Sequence, residues 1–330
     1  MLRCLTTAKR GYPIRTAATL AAMLLAVAAA RAAYPERPVR VIVPYPPGGA
    51  VDAVARITGV KLSEQLNQNF IIDNRAGANG VIGGELVARA QADGYTLLST
   101  ASIHVINALV IAKVPYDPVK DFTPVSQVAA GPLLVVAHPS LPVNGVRELI
   151  AYAKVNPGKL TVAISSRGAA GHLATEMLKF SAGLDFLIVP YKGSGPAYLD
   201  LIGGRVQFMM DPILAALPHV RGGKLKALAV TSLKRVAMVP EVPTVVESGV
   251  AGFDFYSWYG LWGPRGMPRD VVERLAREVN RMVNHPDVAR RLTEQGFETV
   301  GSSPQEFTRY IAAEMAKYTK IVKQAGITAE

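Results

Sequence analysis

The stretch VRVIVPYPPGGAVD, residues 39–52, decides the fold of this chain. It opens with an apolar, β-branched run over 39–43 that predicts a buried strand. Prolines at 44, 46 and 47 end that strand, because proline has no N–H to donate to a sheet. The chain then turns on Gly48-Gly49 and enters a helical pattern. A strand, a glycine turn and a helix start together offer free N–H groups to an anion. A plain βα turn without a ligand is the alternative interpretation of this stretch.

The first 32 residues have the features of a secretory leader. A basic front, with Arg3, Lys9, Arg10 and Arg15, precedes an uncharged apolar run over 16–30 that is too short for a comfortable membrane span. The small-x-small pattern at 30–32 predicts cleavage after Ala32. The expected exported protein therefore begins at Ala33, and the alternative is an uncleaved anchor helix.

Composition limits the classes of function. The chain has 330 residues, half of them hydrophobic, which is enough for two ordinary domains. Without the leader it keeps 31 basic and 25 acidic residues, and the net charge of +6 is scattered rather than collected into a nucleic-acid stripe. The only cysteine, Cys4, leaves with the leader, so no disulfide, thiol nucleophile or Cys metal site is expected. No later apolar run is long enough for a membrane span, so the mature protein is expected to be soluble.

The strand–turn–helix unit repeats in the first third of the chain. A strand at 70–72 leads into a glycine-rich turn over 76–84, in which the glycines follow the spacing Gly-x-x-Gly-x-x-Gly rather than the dinucleotide fingerprint. A third strand, at 95–99, ends in the polar patch 100–104. In open α/β sheets, the edge formed by the carboxyl ends of the strands is where ligands bind.

The middle of the chain repeats this architecture. Short predicted strands end at residues 164, 190, 210 and 230, and small or polar residues follow each of them. Apolar runs near Leu133 and Tyr256 are the expected crossovers between domains, and a proline-rich passage with Pro115, Pro118 and Pro124 precedes the first run. The prediction is an α/β protein with two domains and two hinge crossovers. Domain 1 comprises 33–132 and 253–330, domain 2 comprises 133–252, and two C-terminal helices pack back on domain 1.

Four motifs in this order resemble the Bug proteins, the periplasmic receptors of tripartite tricarboxylate transporters. They are Pro44-Tyr45-Pro46-Pro47-Gly48-Gly49-x-x-Asp52 with Arg56, Asn74-Arg75-x-Gly77-Ala78-x-Gly80-x-x-Gly83, Gly171-His172-Leu173-Ala174-x-Glu176, and Pro190-Tyr191-Lys192-Gly193. The resemblance covers the chain from about Tyr34 to its end. It implies a type II periplasmic binding protein fold, a Venus flytrap, that binds small carboxylates, amino acids or related solutes for membrane permease subunits. It implies no catalysis, cofactor, metal or nucleic-acid partner, and a monomer is expected.

The resemblance also implies which residues line the cleft, each in a loop after a strand. We name two groups: the first cradle is Tyr45, Pro47, Gly48, Gly49 and Asp52, and the second cradle is Ser165, Ser166, Gly168 and Gly171. The remaining expected cleft residues are Ser102 and His104, and on the opposite lip Tyr191, Lys192, Gly193 and Asp211.

Several side chains keep a second interpretation. Asp52 either stabilises a helix start or anchors the amino group of a ligand. Arg167 pairs with the ligand or points to solvent. His172 and Glu176, four residues apart on one helix face, suggest a metal site only if a third ligand exists. Trp258 and Trp262 either stack on a ligand or pack in the core.

Two other functions stay open. A solute sensor that docks on a signalling partner has the same binding architecture as a transport receptor. A secreted hydrolase would need a nucleophile elbow of the form Gly-x-Ser-x-Gly, which the sequence lacks. Ser166 and His172 could serve as a nucleophile and a base, but nothing in the sequence orients them as a triad.

Overall fold

Ten strands form one mixed sheet in the order β2-β1-β3-β9-β4-β7-β5-β6, with β8 and β10 also paired to β4. The computed structural model describes residues 34–328, and the predicted leader over 1–32 lies outside the described residues. The strands are β1 (Val39–Val43), β2 (Phe70–Asn74), β3 (Thr96–Ala101), β4 (Phe122–Ala137), β5 (Thr161–Ile164), β6 (Leu187–Pro190), β7 (Phe208–Pro212), β8 (Lys226–Val230), β9 (Tyr256–Pro264) and β10 (Glu298–Thr299). From Arg37 on, the described chain is one compact unit, and residues 34–36 belong to a separate short unit.

Ten α-helices cover the described sheet. They are α1 (Ala50–Leu66), α2 (Val81–Ala88), α3 (Ile103–Val110), α4 (Val146–Val155), α5 (Ala170–Ala182), α6 (Ser194–Ile202), α7 (Ile213–Arg221), α8 (Arg269–Val283), α9 (Pro286–Thr293) and α10 (Pro304–Gln324), with a short 3-10 turn at Ala78–Gly80 before α2. No helix of residues 34–328 is both long enough and apolar enough to cross a bilayer.

Strand β4 divides the sheet into two parts. Its first portion, Phe122 to Pro132, pairs antiparallel with β9, and its second portion, Leu133 to Ala137, pairs with β7 and β8. We call β1, β2, β3, β9, β10 and the first portion of β4 the first half-sheet, and β5–β8 with the second portion the second half-sheet. Parallel pairs β1–β2 and β1–β3 in one half correspond to β5–β6 and β5–β7 in the other. The loops at their carboxyl ends are therefore the expected binding edges.

The sequence prediction differs from the structure around several of these elements. The apolar run near Leu133 was expected only after the proline-rich passage, but β4 already begins at Phe122 and its register with β9 shifts between Pro124 and Ser126. A register shift accommodates a proline that has no ladder N–H. Helices α7 and α9 were not predicted, and α3 begins inside the patch over 100–104 that was expected only as a polar strand end.

The last helix packs against both parts of the fold. Helix α10 contacts α3 and β4, as expected for a helix returning to the first domain, and it also contacts α5 beside the second half-sheet. Trp258 and Trp262 are fully buried, which places both indoles in the core. Trp258 Nε1 donates to the hydroxyl of Tyr318 at 2.9 Å, and that hydroxyl donates to Glu314. These bonds fix α10 on the strand β9.

Candidate functional site

The first cradle surrounds the uncapped start of helix α1. Gly49 is the N-cap residue, with φ −84° and no side-chain cap, and Gly48 has φ +89°. Both glycines are exposed, and a Cβ built on either would meet no atom within 4 Å. The space beside the uncapped start of α1 is therefore open, and the helix dipole there favours an anion.

Hydrogen bonds to the Asp52 side chain hold the loop before α1 in place. Its Oδ2 accepts hydrogen bonds from the Gly48 N–H and from Arg56 Nε, both at 2.9 Å. Its Oδ1 accepts from Asn74 Nδ2 at 2.9 Å, and the same amide donates to the Tyr45 carbonyl oxygen at 3.0 Å. The carboxylate is buried and both oxygens have partners within the protein. This arrangement matches the interpretation of Asp52 as a residue that holds the turn and the helix start in place.

Electrostatics keep this carboxylate ionised. Burial acts to raise the pKa of Asp52. The hydrogen bonds from Arg56, Gly48 and Asn74 outweigh burial and hold that pKa below its usual range. Arg56 and Asn74 were noted only as part of the family motif, and their contacts show that they support the first cradle.

The other members of the first cradle point in different directions. Pro47 is exposed, whereas the hydroxyl of Tyr45 is buried. The Tyr45 ring lies against the second glycine turn, because a Cβ on Gly80 would come 2.7 Å from the Tyr45 hydroxyl. Burial raises the pKa of Tyr45, with Thr100 nearby acting in the opposite direction. Tyr45 thus joins the first two glycine turns of the half-sheet.

Ser102 and His104 follow β3 but lie inside the fold. Ser102 directly precedes α3, and its buried Oγ has no hydrogen-bond partner among the described residues. A bound solute or an internal water is the usual partner of such a group. His104 is 3% exposed and its ring packs against Tyr116, Phe122 and Trp262. Burial lowers the pKa of His104 to about 3, so the imidazole is neutral.

The second cradle connects β5 to helix α5. Ser165 and Ser166 are half-buried, and Gly168 and Gly171 are buried. Gly171 is required by packing, because a Cβ there would clash with the carbonyl oxygen of Met210 in the middle of β7. This close approach brings the start of α5 to the carboxyl edge of the second half-sheet.

His172 belongs to the same turn. Its Nδ1 accepts a hydrogen bond from the Gly168 N–H at 3.1 Å, and its Nε2 lies 3.8 Å from Glu176 Oε1. Burial, with a smaller effect of the Arg167 charge, lowers the pKa of His172 to about 4. Both ring nitrogens thus face groups other than Ser166. Among residues 34–328 no cluster of three His, Cys, Asp or Glu side chains is placed to hold a metal ion.

The opposite lip is built by the loops after β6 and β7. Gly193, with φ +113°, donates its N–H to the Ser165 carbonyl at 2.7 Å and directly precedes α6. Tyr191 donates its hydroxyl to Asp200 at 2.7 Å, and Lys192 is exposed. The hydrogen bond to Ser165 brings this lip together with the second cradle.

Asp211 lies at the base of that lip. It is 1% exposed and accepts a hydrogen bond from the Tyr198 hydroxyl at 3.2 Å. Burial raises the pKa of Asp211 to about 7, while Ser194, Tyr198 and Ser165 act to lower it. Ser194 and Tyr198 were not anticipated from the sequence. A serine directly after the glycine at a helix start was the available signal.

Most of the chain matches one protein family and several curated proteins. The model of the tripartite tricarboxylate transporter family receptor matches residues 54–327. A UPF0065 protein from the tcbD–tcbE intergenic region of Pseudomonas sp. strain P51 is 39% identical over 298 residues, which cover 90% of this chain and 89% of that protein. Protein BugT of Bordetella pertussis is 36% identical over 295 residues, 89% of this chain and 90% of BugT.

Solved structures show the same fold, and two of the following three contain a solute. Rpa4515 of R. palustris with adipate has a TM-score of 0.84 and 40% identity, over 90% of this chain and 100% of that one. The periplasmic binding protein BugD has a TM-score of 0.80 and 35% identity, over 90% and 100% of the two chains. MatC of Rhodopseudomonas palustris with bound malate has a TM-score of 0.78 and 33% identity, over 88% and 100%. The two-domain periplasmic binding protein fold expected from the sequence is confirmed.

Proposed function

The chain belongs to the tripartite tricarboxylate transporter receptor family, and on that premise we propose that it captures a small carboxylate between its two half-sheets and delivers it to the membrane permease subunits of such a transporter. The observation that carries the proposal is the first cradle: an exposed, uncapped helix start whose turn is held by a fully bonded Asp52. A free helix start favours a carboxylate of the ligand.

Two observations support a carboxylate ligand: the solutes present in related structures and the polar groups at the two binding edges. Rpa4515 is described with adipate and MatC with malate, both small dicarboxylates. In this chain the two binding edges differ: the first offers helix N–H groups, and the second offers the Asp211 carboxyl with neighbouring hydroxyls. A solute with one carboxylate end and a second polar end matches both edges.

The domain division is part of this proposal. The partners of β4 change at Leu133, which supports a first domain of 33–132 with 253–330 and a second domain of 133–252. Hinge closure about the runs near Leu133 and Tyr256 is then the expected response to a solute. Small-angle scattering of the monomer with saturating adipate or malate should give a smaller radius of gyration.

The proposal also includes export to the periplasm and a binding role without catalysis. Cleavage after Ala32 releases a periplasmic protein that begins at Ala33. N-terminal sequencing of the periplasmic form should read Ala33, and a start at Met1 or Leu2 would contradict it. The Nδ1 of His172 accepts from the Gly168 N–H and its Nε2 lies beside Glu176 rather than Ser166, which argues against a hydrolase.

A thermal-shift screen tests the binding function. The panel contains mono-, di- and tricarboxylates, amino acids and small aromatic acids, with neutral sugars as controls. A solute at about a hundred times its dissociation constant should add roughly 2.7 kcal/mol to the free energy of unfolding. Stabilisation by sugars or cations alone would overturn the carboxylate assignment. Turnover of an ester panel that is lost in Ser166→Ala would instead favour an enzyme, and pull-down of a signalling protein rather than a permease would favour a sensor.

A further inference from the structure

The loops of the two half-sheets touch directly at Asn79. Its Nδ2 donates to Asn107 Oδ1 at 2.9 Å and to the Arg167 carbonyl oxygen at 3.0 Å. Asn107 Nδ2 donates back to the Asn79 carbonyl oxygen at 2.9 Å. Asn79 follows β2 and Asn107 lies on α3, whereas Arg167 follows β5. One side chain thus joins two elements of the first half-sheet to the second cradle.

The backbone that presents Asn79 has an unusual conformation. Residues 77–80 all have positive φ, with 139° at Gly77, 44° at Ala78, 56° at Asn79 and 92° at Gly80. Alanine rarely adopts such values, and asparagine tolerates them better than most residues. Strained backbone of this kind persists where surrounding contacts stabilise it, and it concentrates at ligand clamps and switch regions. The bonds of Asn79 are contacts that can stabilise this turn.

A second contact lies beside the first. Gly168 is buried, has φ +75°, and faces α3. A Cβ at this position would come 2.7 Å from Val110 Cγ2 and 3.3 Å from Ile106 Cγ2. Only glycine therefore lets the loop after β5 approach α3 to this distance. The polar contact at Asn79 and the close packing at Gly168 form one small surface between the half-sheets.

We propose that Asn79, Asn107 and Gly168 form a closure clasp, a contact that holds the two half-sheets together over a bound carboxylate and sets how fast that solute leaves. Asn79 is then a positioning residue that acts on the solute through the position of the second cradle. The proposal rests on the two-domain binding function proposed above. A contact made of a few amide bonds and one glycine is small enough to open and close with a hinge.

Two variants break the clasp, and each has a matched control. Gly168→Ala adds a methyl group at a left-handed glycine that faces α3, whereas Gly183→Ala adds one at φ +63° with no atom within 4 Å. Asn79→Gly removes a bonded amide from the left-handed region. Asn67→Gly removes an exposed amide after α1, at φ 51°. Within each pair, the two substitutions change a left-handed backbone position in the same way, but only one of them alters a clasp contact.

Hydrogen exchange and small-angle scattering of the purified proteins are the measurements that decide. In both clasp variants, peptides covering 77–80 and 165–168 should lose at least tenfold of their protection and the radius of gyration should rise, with neither change in the controls. With adipate or malate bound, the release rate should rise at least tenfold. Clasp variants that match their controls in exchange and scattering would overturn the proposal. A lower melting temperature at an unchanged radius of gyration would also overturn it, since the contact would then be permanent packing.

The same experiment separates this proposal from the proposed function. Exchange and scattering need no solute, so they decide the clasp even if no carboxylate stabilises the wild type in the thermal-shift screen. Binding of carboxylates with an unaltered clasp phenotype would leave the receptor function standing and remove the clasp alone.

Discussion

The two binding edges each contain a buried aspartate, and the two aspartates behave in opposite ways. Each has almost no exposed surface, with Asp52 at 3% and Asp211 at 1%, but Asp211 lies deeper in the protein. The pKa of Asp52 lies below its usual range, whereas the pKa of Asp211 is raised to about 7. Depth and partners together explain the difference. Burial disfavours the charged form of Asp211 more strongly, and Asp52 meets a guanidinium, a backbone N–H and an amide where Asp211 meets hydroxyl groups.

This difference in pKa gives the two edges different chemistry. A carboxylate with a cationic partner stays charged and acts as a fixed structural anchor. A buried carboxyl whose partners are hydroxyls changes its protonation near neutral pH, and it accepts or donates a hydrogen bond according to its state. The first edge therefore keeps a fixed charge beneath its turn, whereas the protonation of the aspartate in the second edge depends on pH.

The largest expected effect is the pH dependence that Asp211 gives to stability. Its pKa is about 7 in the folded protein and 3.8 when unperturbed, so between those values the folded state holds a proton that the unfolded state has released. Its stabilising contribution is complete below pH 3.8 and is lost as the pH rises through about 7. Over that window the loss is about 4 kcal/mol.

Asp211→Asn removes this titration and tests it. The free energy of unfolding of the variant relative to wild type should rise by about 4 kcal/mol from pH 4 to pH 8, measured by urea denaturation at each pH. Tyr198→Phe is the companion variant, since it removes the hydroxyl that donates to Asp211. A difference between Asp211→Asn and wild type that does not change with pH would show that Asp211 is ionised throughout.

The second effect is a loss of stability in Asp52→Asn. The substitution removes the charge that faces Arg56, and its new NH₂ opposes the donor N–H of Gly48 or the amide of Asn74. Leaving buried donors without acceptors costs about 1–3 kcal/mol. Because the folded pKa is depressed, the deficit should be present above pH 3.8 and shrink as the pH falls through the folded pKa.

Asp287→Asn is the matched control for Asp52→Asn. Asp287 also lies in the first turn of a helix and also pairs with an arginine, Arg290, but its side chain is 51% exposed. An exposed pair of this kind contributes little, because water screens it. Denaturant melts of both variants give the comparison, and equal losses would contradict the anchor role of Asp52.

The sequence predicted the elements of both edges because local chemistry defines them. Prolines ended β1 after Val43, glycines marked the start of α1, and the apolar periodicity placed α4 and α8 at their observed ends. Burial and partners depend on tertiary contacts instead. Nothing local shows that His104 packs among Tyr116, Phe122 and Trp262, or that Asp211 is surrounded by hydroxyls.

The contacts between the half-sheets also could not be predicted from the sequence. Asn79 lies within a glycine-rich turn that was recognised, but its partner Asn107 is 28 residues away and Arg167 is 88 residues away. Such pairing depends on the path of β4 between the half-sheets, which a local pattern does not specify. The site residues expected from the resemblance remain predictions to be tested with a bound solute.

The smallest effect tests the first edge directly, through Gly49→Val. Gly49 has φ −84° and a Cβ there meets nothing within 4 Å, so valine is compatible with the backbone and its side chain enters the space in front of α1. If a carboxylate binds at that helix start, the isopropyl group takes its place. We expect affinity for the stabilising solute to fall at least tenfold, about 1.4 kcal/mol, while the protein stays folded.

Gly145→Val separates this effect from the general cost of a valine at a helix start. Gly145 is the N-cap residue of α4, is extended with φ −165°, and likewise has no atom within 4 Å of a built Cβ. Calorimetric titration with adipate or malate should show wild-type affinity for Gly145→Val and weakened affinity for Gly49→Val, with similar melting temperatures. Normal affinity in a folded Gly49→Val protein would place the solute away from the first cradle. In that case Asp52 would be only a structural anchor, and Asp211 alone would belong to the binding site.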